Sequence, residues 1–272
     1  MKIRIITAML FAAAVSYTAH ANGENLCNDA YEEKNYAEAH KLCSGLCDKK
    51  ISAGCVLSGK MYQSGLGVKE DVKQAKTLFE KACGMNDKNG CLLLGDIFKK
   101  EKNLESVKKY YTKACELKEG FACFQIGYVY HTGLDGRTDL QKGNEYLKKA
   151  CDLDNPAGCT MFGFSILQNS SKSQDISEAK KFLEKSCGMD DGLGCAFLGN
   201  LYQTGQGMQT DYQQAKKFFE KSCGLKNDIG CFYCGALYAE GTGVEKDSKK
   251  AHEYFETACK LGHKISCKRI SK

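Results

Sequence analysis

Seventeen cysteines in 272 residues pose the first chemical question. A cysteine can be a nucleophile, a metal ligand or half of a disulfide, and spacing helps to separate these uses. Most of them fall in pairs: Cys47/Cys55, Cys83/Cys91, Cys115/Cys123, Cys151/Cys159, Cys187/Cys195, Cys223/Cys231 and Cys259/Cys267. Each pair brackets seven residues, a separation that a short turn between antiparallel helices can bring to disulfide distance. Each bond would close a ring of about nine residues, worth roughly 2.5 kcal/mol in the chain-entropy account. Metal binding is the competing use. It calls for clustered histidines or carboxylates beside the thiols, and the five histidines are scattered. No metal and no cofactor is expected.

Cys27, Cys43 and Cys234 lie outside the pairs. Cys43 stands four residues before Cys47, a slot filled elsewhere by Phe79 or Phe255. Counted back from Ala39, Cys27 falls where Gly95 stands in another repeat. These slots face each other across two helices, so a Cys27–Cys43 bridge is expected. Cys234 occupies the slot of Leu94, Ile126, Phe162 and Leu198 and reads as a buried free thiol. Cys231-Phe232-Tyr233-Cys234 does spell C-x-x-C, the pattern of thiol exchange, but Cys231 already has a periodic partner in Cys223.

Other reactive arrangements are sparse. Two Ser-x-x-Lys strings, Ser106 to Lys109 and Ser177 to Lys180, put a lysine one helical turn from a hydroxyl. Composition alone produces about two such strings in a chain this rich in lysine. The acidic pair Asp190-Asp191 falls in a turn and reads as solvated. No catalytic residue is assigned.

The elements that must carry these residues follow from self-comparison. The cysteine pairs recur every 36 residues, with one step of 32 between Cys83 and Cys115. A fixed period in this range marks a solenoid. Four residues after the second cysteine of each pair stands Gly59, Gly95, Gly127, Gly163, Gly199 or Gly235. Seven after it stands Tyr62, Phe98, Tyr130, Ile166, Tyr202 or Tyr238. Ala75, Val107, Gly143, Ala179, Ala215 and Ala251 precede the next cysteine by eight. Phe79, Tyr111, Leu147, Leu183, Phe219 and Phe255 precede it by four. Spacings of three, four and seven place these residues on one helical face, so each unit is a pair of helices, A and B. The glycine and the small residue let A and B approach closely. Glycine-bearing segments such as Ser64–Gly67 and Ala239–Gly243 separate them, and Lys99–Asn103 replaces that loop in the short repeat.

The expected fold class is therefore all-α, an α/α solenoid of disulfide-stapled helix-pair repeats. Residues 1–21 read as a signal peptide: Lys2 and Arg4 open it, Ile5 to Val15 is largely apolar, and Ala19-His20-Ala21 is a small-x-small cleavage site. The apolar run is too short for a membrane span. Residues 22–272 read as a single repeat domain. It holds a degenerate repeat at 24–47 and full repeats at about 52–83, 88–115, 120–151, 156–187, 192–223 and 228–259. A capping helix follows at 263–271. Cleavage after Ala21 removes two cations and takes the formal charge from +6 to about +4. That mild excess shows no basic patch interleaved with aromatics, so neither nucleic acid nor membrane insertion is expected. A secreted or periplasmic location suits the cysteines.

The run Gly230-Cys231-x-x-Cys234-Gly235-x-Leu237-Tyr238, then Gly241-Thr242-Gly243-Val244, Lys250-Ala251 and Phe255-x-x-Ala258-Cys259 resembles the Sel-like repeat, a longer relative of the tetratricopeptide repeat. The cysteine spacing further resembles the Helicobacter cysteine-rich protein family, over essentially all of residues 24–272. The resemblance implies right-handed superhelices with helix A on the concave face. On that scheme the exposed A positions are one, five and eight after the second cysteine. They give Phe124, Tyr128 and His131, then Thr160 and Phe164, then Asn200 and Gln203, then Phe232. Such a strip of aromatics and amides would hold a peptide or protein segment, from a host or from the cell envelope. The family also implies, as an alternative, weak β-lactam hydrolysis or penicillin binding, with a cell-wall peptide or a β-lactam as ligand. The Ser-Asp-Asn and Lys-Thr-Gly elements of serine β-lactamases are missing beside either Ser-x-x-Lys string.

Overall fold

The computed structural model describes residues 23–134, 136–170 and 172–270, so residues 1–21, read as a signal peptide, lie outside the described residues. The described residues form helices without strands. An opening pair, α1 (23–32) and α2 (Tyr36–Asp48), precedes six A–B pairs. The A helices are α3 (Ser52–Ser64), α5 (Lys88–Lys100), α7 (Gly120–Thr132), α9 (Pro156–Asn169), α11 (Gly192–Thr204) and α13 (Asp228–Glu240). The B helices are α4 (Val72–Gly84), α6 (Leu104–Glu116), α8 (Leu140–Asp152), α10 (Ser173–Gly188), α12 (Tyr212–Gly224) and α14 (Ser248–Lys260). A short α15 (Lys264–Ile270) ends the series. The chain is an α/α solenoid of disulfide-stapled helix pairs. It divides into two compact units, one ending at Ala122 and the other beginning at Cys123.

Local chemistry sets the helix ends. Asp71, Asn103, Asp139, Asp211 and Asp247 cap B helices, their side chains accepting from backbone N–H groups that the first turn leaves unpaired. Helices α3, α11 and α13 stop at Gly65, Gly205 and Gly241, each in the left-handed region with φ of 65°, 63° and 75°. The next glycine of the loop has a second reason to be there. A Cβ on Gly207 would collide with Ile176 Cδ1, and one on Gly243 with Tyr212 Cβ. The loop after each of these A helices thus lies flat on the start of the preceding B helix.

The core repeats with the sequence. Phe79, Tyr111, Leu147, Leu183 and Phe219 are fully buried. Each faces the glycine of its A helix. A Cβ on Gly59 or Gly95 would overlap the Phe79 or Tyr111 ring, and one on Gly199 would come within 2.7 Å of Phe219.

Disulfides join the end of one helix to the start of the next A helix. In the first unit Cys47–Cys55 links α2 to α3 and Cys83–Cys91 links α4 to α5, both with Cα–Cα distances of 4.6 Å. In the second unit Cys151–Cys159, Cys187–Cys195 and Cys223–Cys231 repeat the bond at 4.5, 4.6 and 4.5 Å. Cys259–Cys267, at 4.8 Å, fastens the capping helix α15 to α14. Cys27 and Cys43 are bonded across the opening helix pair. Cys55 and Cys159 are fully buried, whereas Cys267 is only half-buried.

Two repeats add a second staple. Lys185 Nζ donates to the Cys151 carbonyl at 2.7 Å and pairs with Asp154 at 2.8 Å. Lys221 Nζ does the same one repeat later, to the Cys187 carbonyl at 2.6 Å and Asp190 at 3.0 Å. Each lysine satisfies a carbonyl at the C-terminal end of the preceding B helix, where the helix dipole favours a cation.

Candidate functional site

Within the second unit, α9 touches α11 and α11 touches α13. The A helices of this unit therefore form one contiguous layer. All the residues expected to line a concave face lie here.

Tyr128 is 40% exposed on α7, with its ring 6.2 Å from that of Phe124. Phe164 on α9 stacks on Phe197 of α11 at 4.6 Å with the rings 9° from parallel. Asn200 stands one turn beyond Phe197 on the same helix and is half-buried. Gln203 follows on α11, and its side-chain oxygen is buried without a hydrogen-bond partner. His131 Nε2 lies 3.4 Å from Ser165 Oγ. That hydroxyl is fully buried, and Asn169 Nδ2 donates to the Ser165 carbonyl at 2.7 Å. The Ser–His pair thus presents no nucleophile to an incoming substrate.

Two positions differ from the expected pattern. Thr160 is 1% exposed, sealed between repeats by hydrogen bonds to Ser186 Oγ at 2.5 Å and to Asp191. The slot one residue after the second cysteine faces the next repeat, as Ala196, also 1% exposed, shows. Phe232 occupies the same slot and packs under the chain end, with its ring 4.5 Å from His263 and the Arg269 guanidinium 5.3 Å above it. Two residues after the cysteine, Met161 and Phe197 are half-buried, and Phe197 meets Phe164 of the preceding A helix. Reading positions one, five and eight after the cysteine passes over this slot.

The arrangements that suggested covalent chemistry sit elsewhere. Ser106 and Ser177 belong to B helices α6 and α10. Lys109 lies 5.0 Å over the Tyr110 ring. Lys180 lies 4.9 Å over Tyr202 and pairs with Glu184 at 3.6 Å. The hydrogen bond to Tyr202 raises the Lys180 pKa above that of an ordinary lysine, against the opposing effect of partial burial. This amine stays protonated and is no general base at neutral pH. The cysteines of the x7 pairs offer no thiol either. Cys55, Cys159 and Cys267 are each consumed by the bond to the helix before them, and Cys231 by its bond to Cys223. Their role is to hold helices together and not to touch a ligand. Cys234 is the free thiol, buried among Ala215, Phe219 and Leu237. Burial, with a smaller push from Glu220, takes its pKa up to about 12. Among the described residues, no group of three or more His, Cys, Asp or Glu side chains is placed to hold a metal ion, and no helix is long and apolar enough to cross a membrane.

Comparison with known proteins agrees with this architecture. The Sel1 repeat model matches residues 52–87, 120–155, 162–191, 192–227 and 229–263, well over half of the chain. The tetratricopeptide repeat model matches residues 90–121, the 32-residue repeat, whose helices are joined by the tight Lys99–Asn103 turn. HcpC of Helicobacter pylori, a β-lactamase by provisional name, is 50% identical over 34 residues, 12% of this chain and 12% of its own length. The crystal structure of c5321, a protective antigen of uropathogenic Escherichia coli with an SLR fold, aligns with a TM-score of 0.77 at 18% identity. That match covers 95% of this chain and 59% of the antigen. A Sel1 repeat protein from Oxalobacter formigenes aligns with a TM-score of 0.74 at 22% identity, over 87% of this chain and 96% of that one. At these identities the structural likeness shows the fold alone. Period, cysteine register, helix pairing and family match converge: the chain belongs to the Sel1 repeat family.

Proposed function

We propose that this protein is an exported scaffold that holds a peptide or protein segment on the A-helix face of its second unit. The observations that carry this reading are exposed Tyr128, the Phe164–Phe197 stack and Asn200, on three successive A helices. Rigid aromatics bury apolar side chains at low entropic cost, and an amide can pair with a peptide backbone. Phe124, whose ring lies 6.2 Å from that of Tyr128, flanks these residues together with His131 and Gln203. Disulfides in this number suit an oxidising, extracytoplasmic compartment. Residues 1–21 would direct export to the periplasm or beyond.

The β-lactam reading rests on the provisional name of HcpC, and both Ser-x-x-Lys strings stand on B helices with their lysines engaged. One experiment addresses both. Oxidised wild type and Phe124→Ala/Phe164→Ala are presented with a peptide array and a chromogenic β-lactam. Peptide capture that falls in the variant, without turnover, supports the scaffold. Turnover that tracks with the protein and falls in the variant makes it an enzyme instead.

A further inference from the structure

Charge is distributed unevenly between the two helix layers of the second unit. Helices α7, α9 and α11 contain no Lys, Arg, Asp or Glu, and α13 has only Asp228 and Glu240, at its two ends. The B helices of the same unit carry Lys142, Lys148, Lys180, Lys181, Lys216 and Lys217 among many other charges. Burial does not impose this neutrality. Tyr128, Thr132, Gln168 and Thr204 are exposed on A helices and are uncharged all the same. Nor does the fold require it. Five residues after the second cysteine, the first unit has Lys60 and Asp96, whereas the second has Tyr128, Phe164, Asn200 and Ala236. The same slot tolerates a charge in one unit and lacks it throughout the other.

We infer that the A-helix face of the second unit selects an extended segment without charged side chains, mixing aromatic or aliphatic residues with polar uncharged ones. This rests on the scaffold reading above and narrows it to a class of partner. A carboxylate or ammonium pressed against the Phe164–Phe197 stack would lose its hydration and meet no counter-charge on the floor, so charged segments are rejected by desolvation. An apolar side chain loses nothing there, and Asn200 offers both a donor and an acceptor to the backbone between side chains. The span from α7 to α11 is two A-helix spacings, about 20 Å at the usual 8–10 Å between packed helices. An extended chain covers that in roughly six residues.

The test uses the full oxidised chain and a positional-scanning library of hexapeptides, acetylated and amidated so that the termini carry no charge. Lys, Arg, Asp and Glu should be depleted at the central positions of the retained pool. Affinity for the best retained peptide should change less than about twofold between low and high salt, because no ion pair is there to be screened. Asn200→Lys should weaken that peptide by about tenfold or more and admit peptides with one acidic residue. Retention of charged peptides by the wild type, or a fall of about tenfold with salt, overturns the inference and leaves the scaffold standing. If no hexapeptide is retained, the scaffold reading fails and this inference with it.

Discussion

Removing one staple from the middle of the second unit should cost far more than its two sulfur atoms suggest. In Cys187→Ala/Cys195→Ala, the deleted bond joins residues with a sequence separation of 8. Closing a ring of about nine residues removes unfolded-state entropy worth roughly 2.5 kcal/mol. Both cysteines are also buried, at 3% and 0% exposure, in a cluster with Leu183 and Leu198. Two lost sulfurs, each comparable to a methylene, add about 1.6 kcal/mol. The expected destabilisation is about 4 kcal/mol. Cys27→Ala/Cys43→Ala opens a longer ring, with a sequence separation of 16, whose entropy is worth about 3 kcal/mol. Urea unfolding followed by far-ultraviolet circular dichroism measures both, with limited proteolysis locating the segment that opens first. In a repeat array each unit leans only on its neighbours, so cleavage should begin around α10 and α11 in the first variant and around α1 and α2 in the second. A loss below about 1 kcal/mol in the Cys187 variant, with unchanged proteolysis, would refute the reasoning.

Three further outcomes follow from the packing. Gly199→Ala puts a Cβ 2.7 Å from the Phe219 ring, and the resulting overpacking should cost about 1–3 kcal/mol in urea unfolding. Lys221→Met removes the donor to the Cys187 carbonyl and the pairing with Asp190, and should cost about 1 kcal/mol, part of it lost in high salt. Cys234 should resist alkylation in the folded protein and react once it is unfolded. Its folded pKa lies above its unfolded value, so the native state keeps a proton that the unfolded state sheds. Its stabilising contribution is complete below pH 9 and declines between pH 9.0 and about 12. Wild type should therefore lose stability more steeply than Cys234→Ala across that window.

Much of the fold could be read from residue spacing, because solenoid repeats impose the same packing at each step. The 36-residue period, the glycine opposite Phe79 or Phe219, and the cysteine register each correspond to one geometric constraint repeated along the chain. The turn from B to A was less legible. It uses a left-handed residue at every step, yet these are Lys50, Asn86, Lys118, Asp154, Asp190 and Lys226 rather than glycine. Their φ values near 60° are held by hydrogen bonds to the end of the B helix, as from the Asp190 amide to the Cys187 carbonyl. No residue type announces that geometry.

The A-helix face was legible only in part. Period alone says which residues share a helix face, and it does not say whether that face meets the next repeat or solvent. Thr160 belongs to the first case. It is buried because Ser186 takes the place held by Ala82 or Ala150 and brings a hydroxyl to the junction, with Asp191 accepting from both. Met161 and Phe197, one residue further on, are only half-buried.

Met161 also offers the most direct test of the central claim. It is half-buried on α9 in the slot that Phe197 fills on α11, whereas Met85 and Met189 lie at B-helix ends and Met208 in a loop. With methionine methyl groups labelled by carbon-13, a captured peptide is titrated into the oxidised protein and the methyl resonances are followed. The scaffold account predicts a saturable shift at Met161, with Met85, Met189 and Met208 unmoved. A shift confined to Met85, Met189 or Met208, with Met161 unchanged, would place the ligand off the A-helix face and contradict it.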